Sequence, residues 1–293
     1  IGGGTGFIGG ALTQLLRNKG HEVGHISRNP GAGITWTGLA ARGLPPCDAV
    51  VNLAGENVLN PFRRWNRKFK DEVFSSRVDT TRTLARAIVE TRTPPQVWLL
   101  VSAVGFYQPS LTVEYDEDSP GGDADFFSRL VRDWEGAARL PEHTAQLVRQ
   151  AVVRSGVVLG KDGGALKQMI WPFWLGVGGA IGSGRQSFPW IHVEDMSGIL
   201  AHALENDSVR GILNGVAPTP CTSRQFAAAL GSSLGRPAVL PVPALALEAV
   251  LGAERAVMLL EGQRVVPRRT LESGYKYRYP ELAAALDNVV SGG

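Results

Sequence analysis

Gly2-Gly3-Gly4-Thr5-Gly6-Phe7-Ile8-Gly9 runs straight into the amphipathic stretch Ala11 to Leu16. The segment satisfies both G-x-G-x-x-G and G-x-x-G-x-x-G spacing. Glycines at these positions let the backbone turn tightly and come close to a ligand. The free amides and dipole at the start of the following helix favour an anion such as a pyrophosphate. Such a turn alone is a weak signal, so its surroundings decide its meaning. Short β-branched runs follow at Glu22 to Ile26, Ala49 to Leu53, Val97 to Val101, Val152 to Leu159 and Gly211 to Val216. Between them, Gly9 to Lys19, Asp71 to Glu90 and Phe126 to Leu140 carry apolar residues at helical spacing. Strands alternating with helices of this length build βαβ units. The expected fold is therefore an α/β doubly wound parallel sheet of Rossmann type, with ligand at the carboxyl ends of the strands.

Composition agrees. Of 293 residues, 44% are apolar and 19% charged, which excludes a disordered, coiled-coil or collagen-like chain. Thirty-six glycines, about 12% against a usual ~7%, follow no G-x-y period and so belong in turns and close backbone approaches. A net charge of +3 asks for no polyanionic partner. Cys47 and Cys221 make no disulfide framework, and five scattered histidines give no zinc pattern, so no metal is expected. The reading is an intracellular protein of a reducing compartment, cytoplasmic by default. The chain opens at Ile1 without an initiator Met, so organelle targeting stays open. Gln168 to Gly184, the longest uncharged apolar stretch, is too short for a membrane span and is read as a loop.

After the second strand a site selective for NAD would place an acid on the ribose 2′-hydroxyl, whereas here Ser27 and Arg28 stand. A hydroxyl and a guanidinium fork suit a 2′-phosphate, so NADP is the expected cofactor; a solvated turn arginine is the plainer alternative. Beyond about Val216 the chain changes to proline-punctuated helices, Ser223 to Gly235 and Ala244 to Glu261. Residues 1–216 are accordingly read as the NADP-binding unit and 217–293 as a smaller, mainly helical substrate region. A Gly, Trp and Phe rich excursion at 161–185 belongs with the latter.

Gly3, Gly6 and Gly9, Asn52-Leu53-Ala54-Gly55, Ser102 after a strand, Arg154 within one, and Trp190-Ile191-His192-Val193-Glu194-Asp195 occur in order. Together they resemble an extended short-chain dehydrogenase/reductase. Gly262-Gln263-Arg264-Val265-Val266-Pro267, Gly274-Tyr275-Lys276-Tyr277 and Pro280-Glu281-Leu282 narrow the resemblance to the epimerase-family proteins. These are atypical members that include the bacterial SulA-type cell-division-inhibitor homologues and a vertebrate NADP-dependent oxidoreductase. The resemblance implies that Gly3, Thr5, Gly6, Phe7, Ile8 and Gly9 cradle the cofactor phosphates, with Ser27 and Arg28 on its 2′-phosphate. Leu53, Ala54 and Gly55 would line the ribose, Arg77 would reach the phosphates, and Ser155 and Val158 would flank the nicotinamide. Read from the residues alone, the Asn52 to Gly55 turn is a site of close approach, and Arg77 is equally a surface helix cation.

The family's Tyr-x-x-x-Lys pair is missing. Aligned on Glu135, its positions hold Phe127 and Val131, which cannot titrate. Ser102 and Tyr107 are therefore the catalytic nominees, although Tyr107 is as readily a packed loop aromatic. Three functions remain: an NADP(H)-dependent oxidoreductase acting on a small carbonyl or alcohol, a nucleotide-sugar epimerase or dehydratase, and a non-catalytic NADPH sensor. A homodimer is the assembly considered; neither nucleic acid nor membrane is expected as a partner. His192 and Asp195 lack a nucleophile elbow and read as a strand-to-helix junction. The basic and aromatic run Pro61 to Lys70 reads as a solvated or cofactor-proximal helix start, because without its five cations acidic residues would outnumber basic ones. Glu114, Asp116, Glu117, Asp118, Asp123 and Asp125 read as a solvated loop. Trp171, Phe173 and Trp174, between glycines, are candidates for an apolar lid.

Overall fold

The computed structural model describes residues 1–60 and 62–291. Four strands, Ala49–Asn52, Val97–Ala103, Arg149–Ser155 and Gly211–Gly215, pair in parallel in that order. On the opposite side Gly2 bridges both Asn52 and Ile26, and Ile26–Ser27 pairs in parallel with Ile34–Thr35. The chain therefore starts at the middle of the sheet, runs outward one way, then returns past its starting point to build the other half. Ligands in such sheets lie at this reversal, and the glycine turn sits there.

Strand Val97–Ala103 shows how the sheet is stabilised. Its side chains alternate between two buried faces. Trp98 and Leu100 pack with Phe69, Val73, Leu84, Ile88 and Trp134 on one face. Leu99 and Val101 pack with Leu12, Leu16, Met196, Ile199 and Leu200 on the other. Helices Arg67–Ser75, Val78–Glu90 and Phe126–Ala137 cover the first face, and Phe7–Asn18 and Val193–Glu205 the second.

Three expected elements break, and two of the breaks fall at residues that line the cavity described below. Asp71 to Glu90 is two helices, Arg67–Ser75 and Val78–Glu90, interrupted at Ser76 and Arg77. Val152 to Leu159 is two strands, Arg149–Ser155 and Val157–Leu159, the second of which leaves the main sheet to pair with Trp190–His192. The crossing is at Gly156, where a Cβ would lie 2.7 Å from the Pro189 carbonyl oxygen. Ala244 to Glu261 is divided at Gly252, whose φ of 84° favours glycine.

Gln168 to Gly184 is not a loop throughout, because Leu166–Trp174 is helical in spite of Pro172. Burial of Leu166 and Phe173 against Phe226, Leu230 and Leu286 outweighs the hydrogen bond that Pro172 cannot donate. The acidic loop is also not simply solvated. Buried Glu117 accepts N–H bonds from Asn214 and Arg269, each at 3.0 Å. Asp116 and Asp118 pair with Arg268, and Asp118 also pairs with Arg269. Asp195 anchors the C-terminal stretch in the same manner, accepting from the backbone N–H groups of Arg278 (2.7 Å) and Tyr279 (2.8 Å) and the hydroxyl of Tyr275 (3.0 Å). The Trp190 to Asp195 segment thus acts structurally. Among the described residues no helix is long and apolar enough to cross a membrane.

Candidate functional site

A cavity of about 420 Å³ opens at the sheet reversal. One wall is formed by Phe7 and Ile8 at the helix start, Leu53-Ala54-Gly55, Arg77, and the stretch from Ser155 to Val158.

Gly3 adopts φ of 74°, and a Cβ there would come within 2.8 Å of Ala54 N. At Gly9 a Cβ would lie 2.4 Å from the Gly3 carbonyl oxygen. These two glycines close the turn on itself. Gly6 differs: it is exposed, and its Cβ would meet only the Gly3 carbonyl oxygen, at 3.3 Å. It is also the N-cap of helix Phe7–Asn18, with no side-chain cap and no acid in the first turn. The first-turn N–H groups are thus left for an anionic ligand, with Thr5 exposed beside them.

The adjoining Leu53 to Gly55 turn is held from below. Asn52 Oδ1 accepts the Ala54 N–H at 3.0 Å, and Asn52 Nδ2 donates to Thr81 Oγ1, which also accepts from Trp134 Nε1. All three polar side chains are spent on fixing the backbone that faces the cavity. The helix break aims Arg77 at the same turn. Its guanidinium donates to the Glu56 carbonyl (2.9 Å) and lies against Gly55, where a Cβ would be 3.1 Å away. Desolvation pushes its pKa down to about 10, Glu56 opposing, which leaves it cationic at neutral pH.

Ser27 is buried and its hydroxyl accepts the Asn29 N–H. Arg28 is turned to solvent, with its side chain 80% exposed, and pairs with Glu56 at 3.1 Å. Ser155 donates to the Gly156 carbonyl, and Val158 is buried in the cavity wall beside it.

The catalytic nominees separate. Ser102 lies inside strand Val97–Ala103 rather than after it, and it lines the cavity. Its hydroxyl donates to Glu135 Oε1 at 2.8 Å. Arg154 holds the same carboxylate with two bonds of 2.8 Å and stacks 3.3 Å from the Phe106 ring centre. Tyr107 is fully buried and is not among the cavity-lining residues. Its hydroxyl donates to Asn214 Oδ1 and accepts from Arg154. Burial raises its pKa above the ordinary value of ten, which makes it a weaker acid. Tyr107 thus lies in the network behind Ser102 rather than in the cavity wall. It is drawn inward because its ring stacks on Tyr115 and its hydroxyl finds two partners there. Phe127 and Val131 do line the cavity, as Ser102 does.

No motif pointed to the rest of the lining, the far wall, where Val58, Val257, Met258, Glu261 and Gln263 join Asp125 and Leu130. These come from separated segments with no shared motif. Glu135 and Arg154 were visible as motif positions, but their pairing with Ser102 was not. The aromatic lid is absent from the lining: Trp171 and Trp174 are exposed and Phe173 is in a separate core, while Gly164 and Ala165 of that excursion reach the cavity. In the Pro61 to Lys70 run, Pro61 lies outside the described residues. The remainder starts the helix capped by Asn66, with Arg63 paired to Glu72 and Lys70 to Glu254.

Sheet order, glycine turn and the groove beside it define a dinucleotide-binding protein of the extended short-chain dehydrogenase/reductase class. Residues 1–125 match the model of the NAD dependent epimerase/dehydratase family, and residues 242–289 match a domain of unknown function. The cattle protein named epimerase family protein SDR39U1 is 64% identical over 99% of both chains. The crystal structure of human SDR39U1 with NADPH superimposes with a TM-score of 0.96, at 61% identity over 99% of this chain and 98% of that one. A Corynebacterium glutamicum structure described as a nucleoside-diphosphate sugar epimerase has a TM-score of 0.77 at 29% identity, covering 99% of this chain and 57% of that one. This chain belongs to the SDR39U1 group of epimerase-family proteins.

Proposed function

We propose that the chain binds NADP(H) along the glycine turn and carries out hydride transfer with a small carbonyl or alcohol substrate held in the cavity. The observation that carries the cofactor assignment is Gly6, an exposed helix cap whose missing side chain keeps the first-turn amides accessible. Arg28 at the next strand end and the NADPH in the human relative's structure support it. Bound NADP(H) would supply or accept the hydride.

The chain's own part is to orient the substrate, exclude water and handle the proton. Phe127 and Val131 can do only the first two. Ser102 stands between the cavity and Glu135, so it passes a proton between a substrate oxygen and the carboxylate, giving its own hydroxyl proton as it takes another. Arg154 donates to both oxygens of that carboxylate and so holds it against Ser102; with no Tyr and Lys pair to assist, turnover is slow. A non-catalytic NADPH sensor is the second reading, favoured by the apolar side chains at the Tyr and Lys positions.

Titration of the purified protein with NADPH should show saturable binding that Gly6→Val abolishes while the circular dichroism spectrum is kept. The branched side chain would fill the approach to the helix amides, its Cβ meeting only the Gly3 carbonyl oxygen at 3.3 Å. A folded Gly6→Val protein with parental affinity would place the cofactor elsewhere.

A further inference from the structure

The far wall differs in chemistry from the cofactor wall. Phe127, Leu130, Val131, Val257 and Met258 make it apolar, and the formal charges it carries are the carboxylates of Asp125 and Glu261. Among the described residues lining the cavity, Arg77 is the one cation, and it belongs to the cofactor wall, donating to the carbonyls of Val73 and Glu56. The basic side chains just behind the far wall are committed as well. Arg255 is buried and donates to the carbonyls of Leu251, Val58 and Asn60, and Lys70 is paired with Glu254. Arg129 donates to the Asp123 carbonyl.

A nucleoside diphosphate entering this half of the cavity would give up water for hydrocarbon and two like charges. Anions are held where cations converge on them, and among the described residues of this wall no Lys or Arg side chain replaces the lost hydration. An uncharged molecule has no such penalty and gains from the apolar wall. We infer that the substrate of the proposed hydride transfer is a small, uncharged, largely apolar ketone, aldehyde or corresponding alcohol, and that Asp125 and Glu261 select against anions, nucleotide sugars included. This rests on the cofactor assignment above, because it gives the glycine-turn side of the cavity to NADP(H).

The test uses the full chain and has two separate readings. NADPH is titrated first, and failure to bind would refute the cofactor assignment itself. NADPH-saturated protein is then titrated calorimetrically with neutral ketones (acetophenone and cyclohexanone), with the para-carboxylate of acetophenone, and with UDP-glucose. Saturable binding of a neutral ketone is expected, with the carboxylate about tenfold weaker or more and no saturable binding of UDP-glucose. Joint replacement Asp125→Asn and Glu261→Gln, in which Asn keeps the helix cap, should bring the carboxylate to within about threefold of its neutral parent. Saturable UDP-glucose binding, failure of both neutral ketones to bind, or a carboxylate penalty unchanged in the double variant would each overturn the inference.

Discussion

Replacing Arg28 by Ala tests the cofactor assignment most directly. Its guanidinium is at the end of strand Ile26–Ser27 and is 80% exposed, with one nitrogen 3.1 Å from the Glu56 carboxylate. A hydrogen bond between charged groups contributes about 1.5–3 kcal/mol when well shielded from water. Exposure and salt screening reduce that, and Glu56 already occupies part of the fork. The expected loss for NADPH is about 1–2 kcal/mol, or roughly 5–30-fold in Kd. NADH has no 2′-phosphate, so its Kd should move by no more than about twofold. Glu56→Gln works in the opposite sense: removing a carboxylate beside the incoming phosphate should tighten NADPH about 2–5-fold and leave NADH unchanged. Calorimetric titration of both dinucleotides at low and high salt measures these effects, and the NADPH preference should shrink as salt rises. An unchanged NADPH to NADH ratio in Arg28→Ala would refute the reasoning, because the discriminating contact would then be elsewhere.

Tyr107→Phe should cost about 1–3 kcal/mol of stability, since Asn214 and Arg154 each lose a buried partner, and should leave kcat intact. Once a turned-over substrate is found, Ser102→Ala should lower kcat by about 10²-fold or more; the reverse pattern would return Tyr107 to the chemistry. Glu135→Ala would strand the Arg154 guanidinium, whose side chain is 4% exposed, and should cost about 3–5 kcal/mol, seen as a Tm lower by roughly 6–20 °C. A change under about 1 kcal/mol would mean that water or another acceptor reaches Arg154. His192 caps helix Val193–Glu205 through Nδ1, and burial lowers its pKa below the ordinary value of about 6.5. The unfolded chain therefore takes up a proton first as pH falls. The stability tied to neutral His192 is fully present above about 6.5 and is lost as pH falls from there toward the lower folded pKa. His192→Asn keeps a cap and should flatten that decline in urea melts between pH 7.5 and pH 5.5; an unaltered slope would assign it to another group, such as His25, whose pKa burial also lowers.

The proposed cofactor half of this protein is written locally. Gly3, Gly6 and Gly9, Ser27 and Arg28, and Leu53 to Gly55 are each short contiguous runs, and the constraints they satisfy, tight turns and open amides at strand ends, act within a few residues. Alternation in Val97 to Val101 and helical spacing in Phe126 to Leu140 likewise reveal their elements, because burial on a fixed face imposes a period. Phe127 and Val131 announce the missing acid/base pair by residue type alone. The far wall was not legible. Asp125, Val257 and Glu261 meet only after the C-terminal helices dock, and no period or spacing encodes that approach. Tertiary packing also decided where elements break. Ser76 and Arg77 interrupt a helix that local spacing would continue, because Ser76 Oγ accepts the Glu56 N–H while Arg77 donates to the Glu56 carbonyl. Tyr107 shows the same limit: its sequence neighbours place it near the cavity, but two buried hydrogen bonds turn its hydroxyl away. Local sequence fixes conformations whose energies are local, whereas the direction in which a side chain finally points depends on partners tens to more than a hundred residues away.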